Sequence, residues 1–254
     1  LTEEGFPVGT FIKVSKEAHQ LIEEFMLLAN KHVAIKMGKP QKNKMISPFI
    51  YRIHEDPNEE KLSDLKIYLQ AMGYEWVRIK KKPISFSLNE VMKKAKEKKE
   101  LHLIAPMIIR SMSKAVYSSD TIGHYGLAFQ YYTHFTSPIR RYADLIVHRK
   151  LWNAINEKSS HSKEQLEYTC NHISKMEKQA VDAERASIKY MQVLFLGEKI
   201  GTQFSGVISG LTDWGIFVEL DNNKCEGMIP LNSIKDDQYF YDNELKLVFG
   251  HNTR

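Results

Sequence analysis

The hydrophobic pattern of this sequence changes near residue 200, and the change restricts the chain to two differently built parts. Upstream of Gly197, apolar residues recur at intervals of three and four, which is the spacing of amphipathic helices. Downstream of Thr202 lie short β-rich runs, FSGVISG, WGIFVEL and CEGMIPL, bounded by glycines as in small barrels. We therefore predict an α+β chain with a mostly helical part at residues 1–199 and an all-β part at residues 200–254.

Helical spacing is strongest in two stretches of the first part. Residues 16–37 are apolar on most of the circumference, which predicts a helix in a core, and residues 163–196 carry one apolar stripe. A shorter helix is expected after Asp56, which is its predicted N-cap, with Pro57 at the first helical position. Another helix is expected across LHLIAPMIIRSMSKAVY. The alternation in TFIKV, residues 10–14, predicts a short strand.

The charge balance and the two cysteines bear on the partners and the cellular compartment of the protein. An excess of 36 Lys and Arg over 31 Asp and Glu gives a net charge of +5, too mild to identify a nucleic-acid binder. The lysine runs at 80–82 and 93–99 are expected to face solvent. Cys170 and Cys225 match no zinc spacing, which is typical of buried thiols in a reducing cytosol. Neither a secretion signal nor an apolar run of about 20 residues is visible.

The segment GHYGLAFQYYTHFTSPIRRYADLIVHRKL is densest in side chains capable of chemistry. Aromatic residues and histidines surround a Thr-Ser-Pro turn, which we expect to open a helix near Ile139. A helix N-terminus with hydroxyl groups before it and Arg140 and Arg141 on its first turn is suited to hold a phosphate. An equally weighted alternative is that Thr136 or Ser137 only caps the helix while the aromatic rings fill a core.

Acidic side chains interrupt two apolar stretches. Glu184 falls on the apolar stripe of residues 163–196, where a carboxylate is costly unless it is paired. One of the two arginines of the Thr-Ser-Pro-Ile-Arg-Arg turn is the natural partner. The plainer alternative is a salt bridge within the helix to Arg185 or Lys178. Glu23 also lies among apolar neighbours, and the same two interpretations apply to its carboxylate.

The β-rich part carries a second set of candidates. Phe204, Trp214 and Phe217 are candidates for a face on which nucleic-acid bases stack, although a small barrel also needs interior aromatic residues. Trp214 is expected to point outward because a predicted turn surrounds it. The sequence has no phosphate-binding loop, HExxH motif or GxSxG elbow. Histidines near Ser137 leave a serine hydrolase as a further alternative.

The segment GHYGLAFQYYTHFTSPIRRYADLIVHR resembles the signature of the RNB family of exoribonucleases, in its ribonuclease R and ribonuclease II branch. The similarity continues in order through LIEEFMLLANKHVA, PFIYRIHEDPNEEKL and the AER at residues 183–185. The stretch from GTQFSGVISG to DDQYFYD is similar to the ribosomal-protein-type OB-fold RNA-binding domain that follows the catalytic domain. The resemblance implies the C-terminal part of an RNB catalytic domain at residues 1–199 and an incomplete all-β OB-fold barrel at residues 200–254.

The resemblance also implies an activity and a site. A member of this family hydrolyses RNA processively from its 3′ end to nucleoside monophosphates, with Mg²⁺ as cofactor. Carried over by motif, Arg140 contacts the scissile or a neighbouring phosphate, and Glu184 and Glu23 lie beside the last nucleotides as further catalytic candidates. The expected RNA-binding residues are Tyr125, His134, Phe135, Ser137, Arg141, Phe204, Trp214 and Phe217.

The family's magnesium-holding aspartates lie upstream of LIEEFMLLAN, where about 20 residues are present here. We therefore expect a fragment that lacks the metal ligands and has no exonuclease activity alone, while Mg²⁺ serves the full-length enzyme. The alternative is a non-catalytic RNA-binding protein that uses the barrel and the basic helices. In both cases we expect a cytoplasmic monomer with RNA as its partner and no membrane contact.

Overall fold

The chain forms two compact units that mix helices and strands, which confirms the predicted α+β class. The computed structural model describes residues 1–12, 14–40, 47–76, 83–158, 162–243, 245 and 247–252. The first unit comprises Leu1–Ile12, Pro57–Met112 and Ile188–Arg254, and the second comprises Lys13–Asp56 and Ser113–Ser187.

The helices are α1 (Glu17–Gly38), α2 (Glu59–Ala71), α3 (Ile84–Glu97), α4 (Leu101–Ser111), α5 (Tyr142–Ile155) and α6 (Lys163–Gly197). The strands are β1 (Tyr51–Ile53), β2 (Val116–Ser118), β3 (Gly206–Leu211), β4 (Gly215–Leu220), β5 (Glu226–Pro230), β6 (Tyr239–Asp242) and β7 (Leu247–Gly250).

The second unit is built around the short antiparallel pair of β1 and β2, in which Arg52 lies opposite Tyr117. Its core contains Phe49, Ile50, Tyr51, Ile53, Tyr117, Ala143, Val147, Leu166, Cys170 and Ile173. The aromatic segment GHYGLAFQYYTHF, residues 123–135, follows β2 and lies beside β1. The Arg52 amide donates to the Tyr132 carbonyl at 2.9 Å, and the buried Thr133 hydroxyl donates to the Ile50 carbonyl at 2.7 Å. These bonds fix the aromatic segment against the core.

The first unit holds the remaining helices and the β-rich part. Helices α2, α3 and α4 share a core of Leu62, Leu65, Leu69, Tyr74, Leu88, Val91, Ala95, Ile104 and Ile108. Strands β3, β4 and β5 form one antiparallel sheet in that order, and β6 pairs with β7 in another. Both sheets are open among the described residues, which form no closed barrel.

Helix α1 forms where the spacing predicts it, but only its second half is buried. Asn30, Ala34 and Gly38 are its buried residues, whereas Ile22 and Phe25 are 59% and 60% exposed. The prediction of a helix buried in a core is therefore wrong for the first turns of α1, because no described residue covers that face.

The strand predicted at residues 10–14 is also wrong. Residues 10–12 and 14 form no strand, while Lys13 lies outside the described residues. The side chain of Phe11 is 90% exposed. Alternating residues need a neighbouring strand to pair with, and none of the described residues provides one here.

Two helix ends differ from the predictions. The N-cap of α2 is Asn58 rather than Asp56, and its side-chain oxygen accepts from the amides of Glu60 at 2.8 Å and Lys61 at 3.4 Å. The helix starts two residues later than predicted, so the Asp56 carboxylate is too far from the free amides. Helix α4 contains Pro106 but ends at Ser111, because the residues that follow pair with β1 as strand β2.

Helix α6 agrees with the predicted stretch at residues 163–196, but its apolar stripe is buried only at Leu166, Cys170 and Ile173. The lysines at positions 93–99 are exposed as predicted, and those at 80–82 lie outside the described residues. Cys170 and Cys225 are buried free thiols, as expected. No helix in the described part of the chain is long and apolar enough to cross a membrane.

The cap of α2 provides a test of this part of the fold. Substitution Asn58→Ala should lower the free energy of unfolding by about 1 kcal/mol, because two amides of the first turn lose their acceptor. The matched substitution Asp56→Ala should leave it within about 0.5 kcal/mol. Urea unfolding measures both; a larger loss for Asp56→Ala would show that the cap is assigned to the wrong residue.

Candidate functional site

The candidate site is the turn at residues 135–141, which leads from the aromatic segment into α5. The Ser137 carbonyl accepts from the amides of Arg140 at 3.3 Å and Arg141 at 3.0 Å, which closes a tight turn before the helix. Arg141 has an extended backbone and occupies the N-cap position, so α5 begins at Tyr142. The prediction that the helix begins near Ile139 with both arginines on its first turn is therefore wrong.

A buried carboxylate from α5 holds this turn. Asp144 is inaccessible to solvent, and its Oδ1 accepts from the Ser137 amide at 2.7 Å and from Arg141 Nη2 at 2.8 Å. No side chain at the N-cap position caps α5. The alternative that Thr136 or Ser137 caps the helix is thus wrong, because Asp144 reaches back from inside the helix and takes the Ser137 amide.

A buried amide from α1 holds the other side of the same turn. The Asn30 side chain accepts from the amides of Phe135 at 2.9 Å and Thr136 at 3.2 Å, and donates to the Tyr132 hydroxyl at 3.1 Å. Two buried polar side chains from different helices therefore bind three consecutive backbone amides. Such bonds are strongly orienting because the buried groups have no water to exchange with.

The aromatic side chains of the segment pack on one another. Phe135 stacks on His148 with ring centroids 4.1 Å apart, and the His148 ring bonds the Phe135 carbonyl at 2.9 Å. Tyr132 is buried, with the rings of His124 and His134 at 5.2 and 5.8 Å. Tyr125 is half-buried. Part of the ring set fills a core, as one alternative predicted, while Tyr125, His134 and Phe135 keep partly exposed surfaces.

His134 is held neutral. Burial lowers its pKa to about 3, and the positive charges of Arg141 and Arg52 act in the same direction. Burial also raises the pKa of Tyr117 to about 12, so this hydroxyl keeps its proton. The Tyr117 hydroxyl lies 2.7 Å from His134 Nδ1, within hydrogen-bond distance. At neutral pH His134 therefore adds shape and a hydrogen bond rather than charge.

An ion pair connects this network to α6. Arg52 Nη1 lies 2.6 Å from Glu177 Oε2, and the Arg52 guanidinium is 4.6 Å from the centroid of the Tyr117 ring. Because the Arg52 side chain is only 13% exposed, the pair is better shielded than a surface salt bridge. It attaches β1 to α6 two helical turns before Glu184.

The predicted acidic catalytic residues are placed on the surface. Glu23 and Glu184 are exposed, and neither forms an ion pair with the described residues. The prediction that Glu184 lies on a buried stripe and pairs with an arginine of the turn is wrong. Arg141 pairs with Asp144, which lies three residues away on the same side of the turn. Arg140 is exposed and makes no side-chain hydrogen bond to the described residues.

The described residues do not provide a metal-binding set. No three His, Cys, Asp or Glu side chains among them converge on one point. The buried carboxylate of Asp144 already binds Ser137 and Arg141 through one oxygen. These residues therefore do not fit a Mg²⁺ ion, and no chemical step is assigned to a metal here. The serine-hydrolase alternative is also not supported, because no hydrogen bond among the described residues joins a histidine ring to the Ser137 hydroxyl: His134 bonds Tyr117, and His148 bonds the Phe135 carbonyl.

The β-rich part presents a second candidate surface. Trp214 lies in the turn between β3 and β4 and is 75% exposed, in agreement with the outward orientation predicted for it. Phe204 precedes β3 and is partly exposed, and Phe217 lies on β4 opposite Met228 of β5. An exposed indole at the end of a hairpin is suited to stack on a planar group.

The sequence analysis missed the residues that hold the turn. Two of these residues could have been found from the sequence. Asn30 is a polar residue within an apolar helix, and Asp144 lies one helical turn after Arg141. Arg52, Tyr117 and Glu177 come from three distant segments, so no local pattern relates them.

Comparisons with known proteins match both parts of the chain. The RNB domain model matches residues 1–157, which is more than half of the chain, and the S1 RNA binding domain model matches residues 198–248. Ribonuclease R of Aquifex aeolicus is 35% identical over 254 residues, covering 99% of this chain and 35% of that protein.

Solved structures of Mycoplasma genitalium RNase R are also similar. The apo form gives a TM-score of 0.86 at 29% identity, and the complex with ribose methylated single-stranded RNA gives 0.83 at 30% identity. Both alignments cover 99% of this chain and 39% of that chain. The present chain therefore spans little more than a third of the length of these relatives.

The buried histidines predict a pH dependence of stability. Burial lowers the pKa of His134 to about 3 and of His124 to about 4, both from 6.5. The unfolded chain binds these protons first, so stability is complete above pH 6.5 and is lost as the pH falls towards 4. The slope should approach about 1.4 kcal/mol per pH unit for each histidine.

Substitution His134→Asn should remove one such contribution, while the same change at the exposed His172 should not. Urea unfolding between pH 7 and pH 4.5 measures the slopes. Identical slopes for the wild type and His134→Asn would contradict the neutral, buried state of His134.

Proposed function

This chain belongs to the RNB family, and from that membership we propose that it is part of a ribonuclease R-like 3′–5′ exoribonuclease. The enzyme hydrolyses the phosphodiester bonds of RNA processively and releases nucleoside monophosphates. RNA is the partner, and the protein acts as a cytoplasmic monomer. Residues 1–199 form the C-terminal part of the RNB domain, and residues 200–254 the start of an OB-fold RNA-binding domain.

The observation that carries this proposal is the exposed Arg140 on a rigidly held turn. Asn30 and Asp144 bind the backbone on both sides of the turn, yet the Arg140 guanidinium has no partner among the described residues. A free guanidinium on a fixed backbone is suited to bidentate binding of a phosphate. We assign to Arg140 the binding of the phosphate at or next to the scissile bond.

In this proposal the remaining site residues of each unit contact the RNA. Tyr125, His134 and Phe135 contact it with partly exposed rings, which are suited to stacking on bases. Glu23 and Glu184 are exposed carboxylates that lie beside the last nucleotides in this proposal. In the β-rich part, Phe204, Trp214 and Phe217 bind the incoming strand.

Mg²⁺ has no ligand set among the described residues. We propose that residues outside this chain hold the Mg²⁺ of the whole enzyme and that the 254-residue chain alone has no exonuclease activity. Its contribution is to bind the phosphate and the bases.

A non-catalytic RNA-binding protein is the second candidate function, favoured by the exposed Trp214 and the exposed lysines of α3.

The role of Arg140 can be tested in the natural polypeptide that contains this chain. Substitution Arg140→Ala should lower kcat on a 5′-labelled single-stranded RNA by about 100-fold, because one donor to the reacting phosphate is lost. Retention of the RNA should change little, since many other cationic and stacking contacts supply non-specific affinity. The control Arg110→Ala, an exposed arginine of α4, should change neither quantity.

Four outcomes separate the alternatives. A ladder of products shortened from the 3′ end supports the exoribonuclease, whereas complete absence of hydrolysis by the wild-type polypeptide supports the binding protein. Equal losses of kcat and RNA retention in Arg140→Ala would contradict the phosphate assignment. Hydrolysis by the isolated 254-residue chain would contradict the proposal that its metal ligands lie elsewhere.

The stacking role of Trp214 predicts a separate binding effect. Substitution Trp214→Ala should weaken RNA binding by the 254-residue chain by about 1–3 kcal/mol, because one base loses its stacking platform. The slope of log K against log salt should stay the same, since no charge is removed. The control Trp152→Ala removes another exposed indole, that of α5, and should have no effect. Equal losses for both tryptophans would contradict a specific stacking site.

A further inference from the structure

The two adjacent arginines of the turn are in different environments. Arg141 is 20% exposed at its side chain and donates through Nη2 to the fully buried Asp144. Its Nε is also buried and has no hydrogen-bond partner among the described residues. Arg140 is exposed and unpaired within the described part of the chain. Both arginines are predicted to bind RNA, but only the guanidinium of Arg140 is exposed and without a partner among the described residues.

The charge of Arg141 is already compensated where it lies. A carboxylate that is removed from water interacts strongly with a guanidinium at hydrogen-bond distance, and each depends on the other for neutralisation. A movement of the Arg141 guanidinium away from Asp144 towards an RNA phosphate would leave Asp144 as an unpaired buried charge. That arrangement is unfavourable because a buried carboxylate without a counter-ion is strongly destabilised.

The same carboxylate oxygen also determines the backbone of Arg140. Oδ1 of Asp144 binds the Ser137 amide, and the Ser137 carbonyl accepts from the amides of Arg140 and Arg141. Asp144 therefore holds Ser137 by its backbone and Arg141, the last residue of the turn, by its side chain. Arg140 lies between these two attachment points, so its direction depends on both.

We propose that Asp144 and Arg141 are positioning residues that act on the RNA phosphate through Arg140, and that Arg141 does not itself bind RNA. This inference rests on the proposed function and refines the roles within that site. Asn30 supports it from the opposite side through the amides of Phe135 and Thr136.

A double-mutant cycle in the natural polypeptide that contains this chain tests the proposal. Substitution Asp144→Asn should lower kcat on a 5′-labelled single-stranded RNA by about 10-fold to 100-fold, with KM changed less than about threefold, because the reacting phosphate is misaligned. In the Arg140→Ala background the same substitution should change kcat by less than about twofold. An undiminished loss in that background would overturn the proposal, because Asp144 would then act independently of Arg140.

Removal of both charges distinguishes the role of Arg141. The double substitution Asp144→Asn with Arg141→Gln replaces the ion pair by two neutral groups that can still hydrogen-bond. It should recover part of the kcat lost in Asp144→Asn, since no buried charge is left unpaired. If Arg141 binds RNA directly, the double variant should instead be slower than Asp144→Asn and should bind RNA more weakly, which would overturn the proposal.

Two further measurements keep the outcome interpretable. Asp120→Asn is the matched control, because it breaks the exposed ion pair with Lys163 and should leave kcat unchanged. If Asp144→Asn does not fold, as judged by circular dichroism, Arg141→Lys serves instead and should show the same dependence on Arg140. Absence of nuclease activity in the wild type would refute the proposed function, whereas activity with an Arg140-independent Asp144 effect would refute only this inference.

Discussion

The buried carboxylate of Asp144 is the interaction on which the candidate site depends. It has no access to solvent, and its Oδ1 atom binds both the Ser137 amide and Arg141 inside the protein. With Asn30 on the opposite side, it fixes a turn that carries one compensated and one free guanidinium. The free cation is therefore presented on a backbone that is ordered before any ligand arrives, which reduces the entropy lost on binding.

Much of the fold follows from local patterns in the sequence. The 3.6-residue period predicts α1 and α6 to within about two residues, and glycine-bounded runs predict β3, β4 and β5. The segment that carries the candidate site was also identified, because arginines among aromatic residues are chemically unusual. These signals are local: each depends on residues within a turn or two of one another.

The features that sequence reasoning missed depend on distant contacts. Asn30 binds amides that lie 105 and 106 residues further along the chain, so its role cannot be seen in the α1 segment. The pairing of Arg141 with Asp144 was overlooked because Glu184 was placed on a buried stripe, and the periodicity of α6 continues past the point where burial ends. Periodicity gives the face of a helix, but not whether another element covers that face.

A crystal structure of the natural polypeptide with a short single-stranded RNA would show which of the two arginines binds the phosphate. We expect a phosphate oxygen about 2.7–2.9 Å from the guanidinium nitrogens of Arg140, with Arg141 still on Asp144. A phosphate bound by Arg141, with Asp144 left unpaired or Arg140 directed away from the RNA, would contradict this expectation.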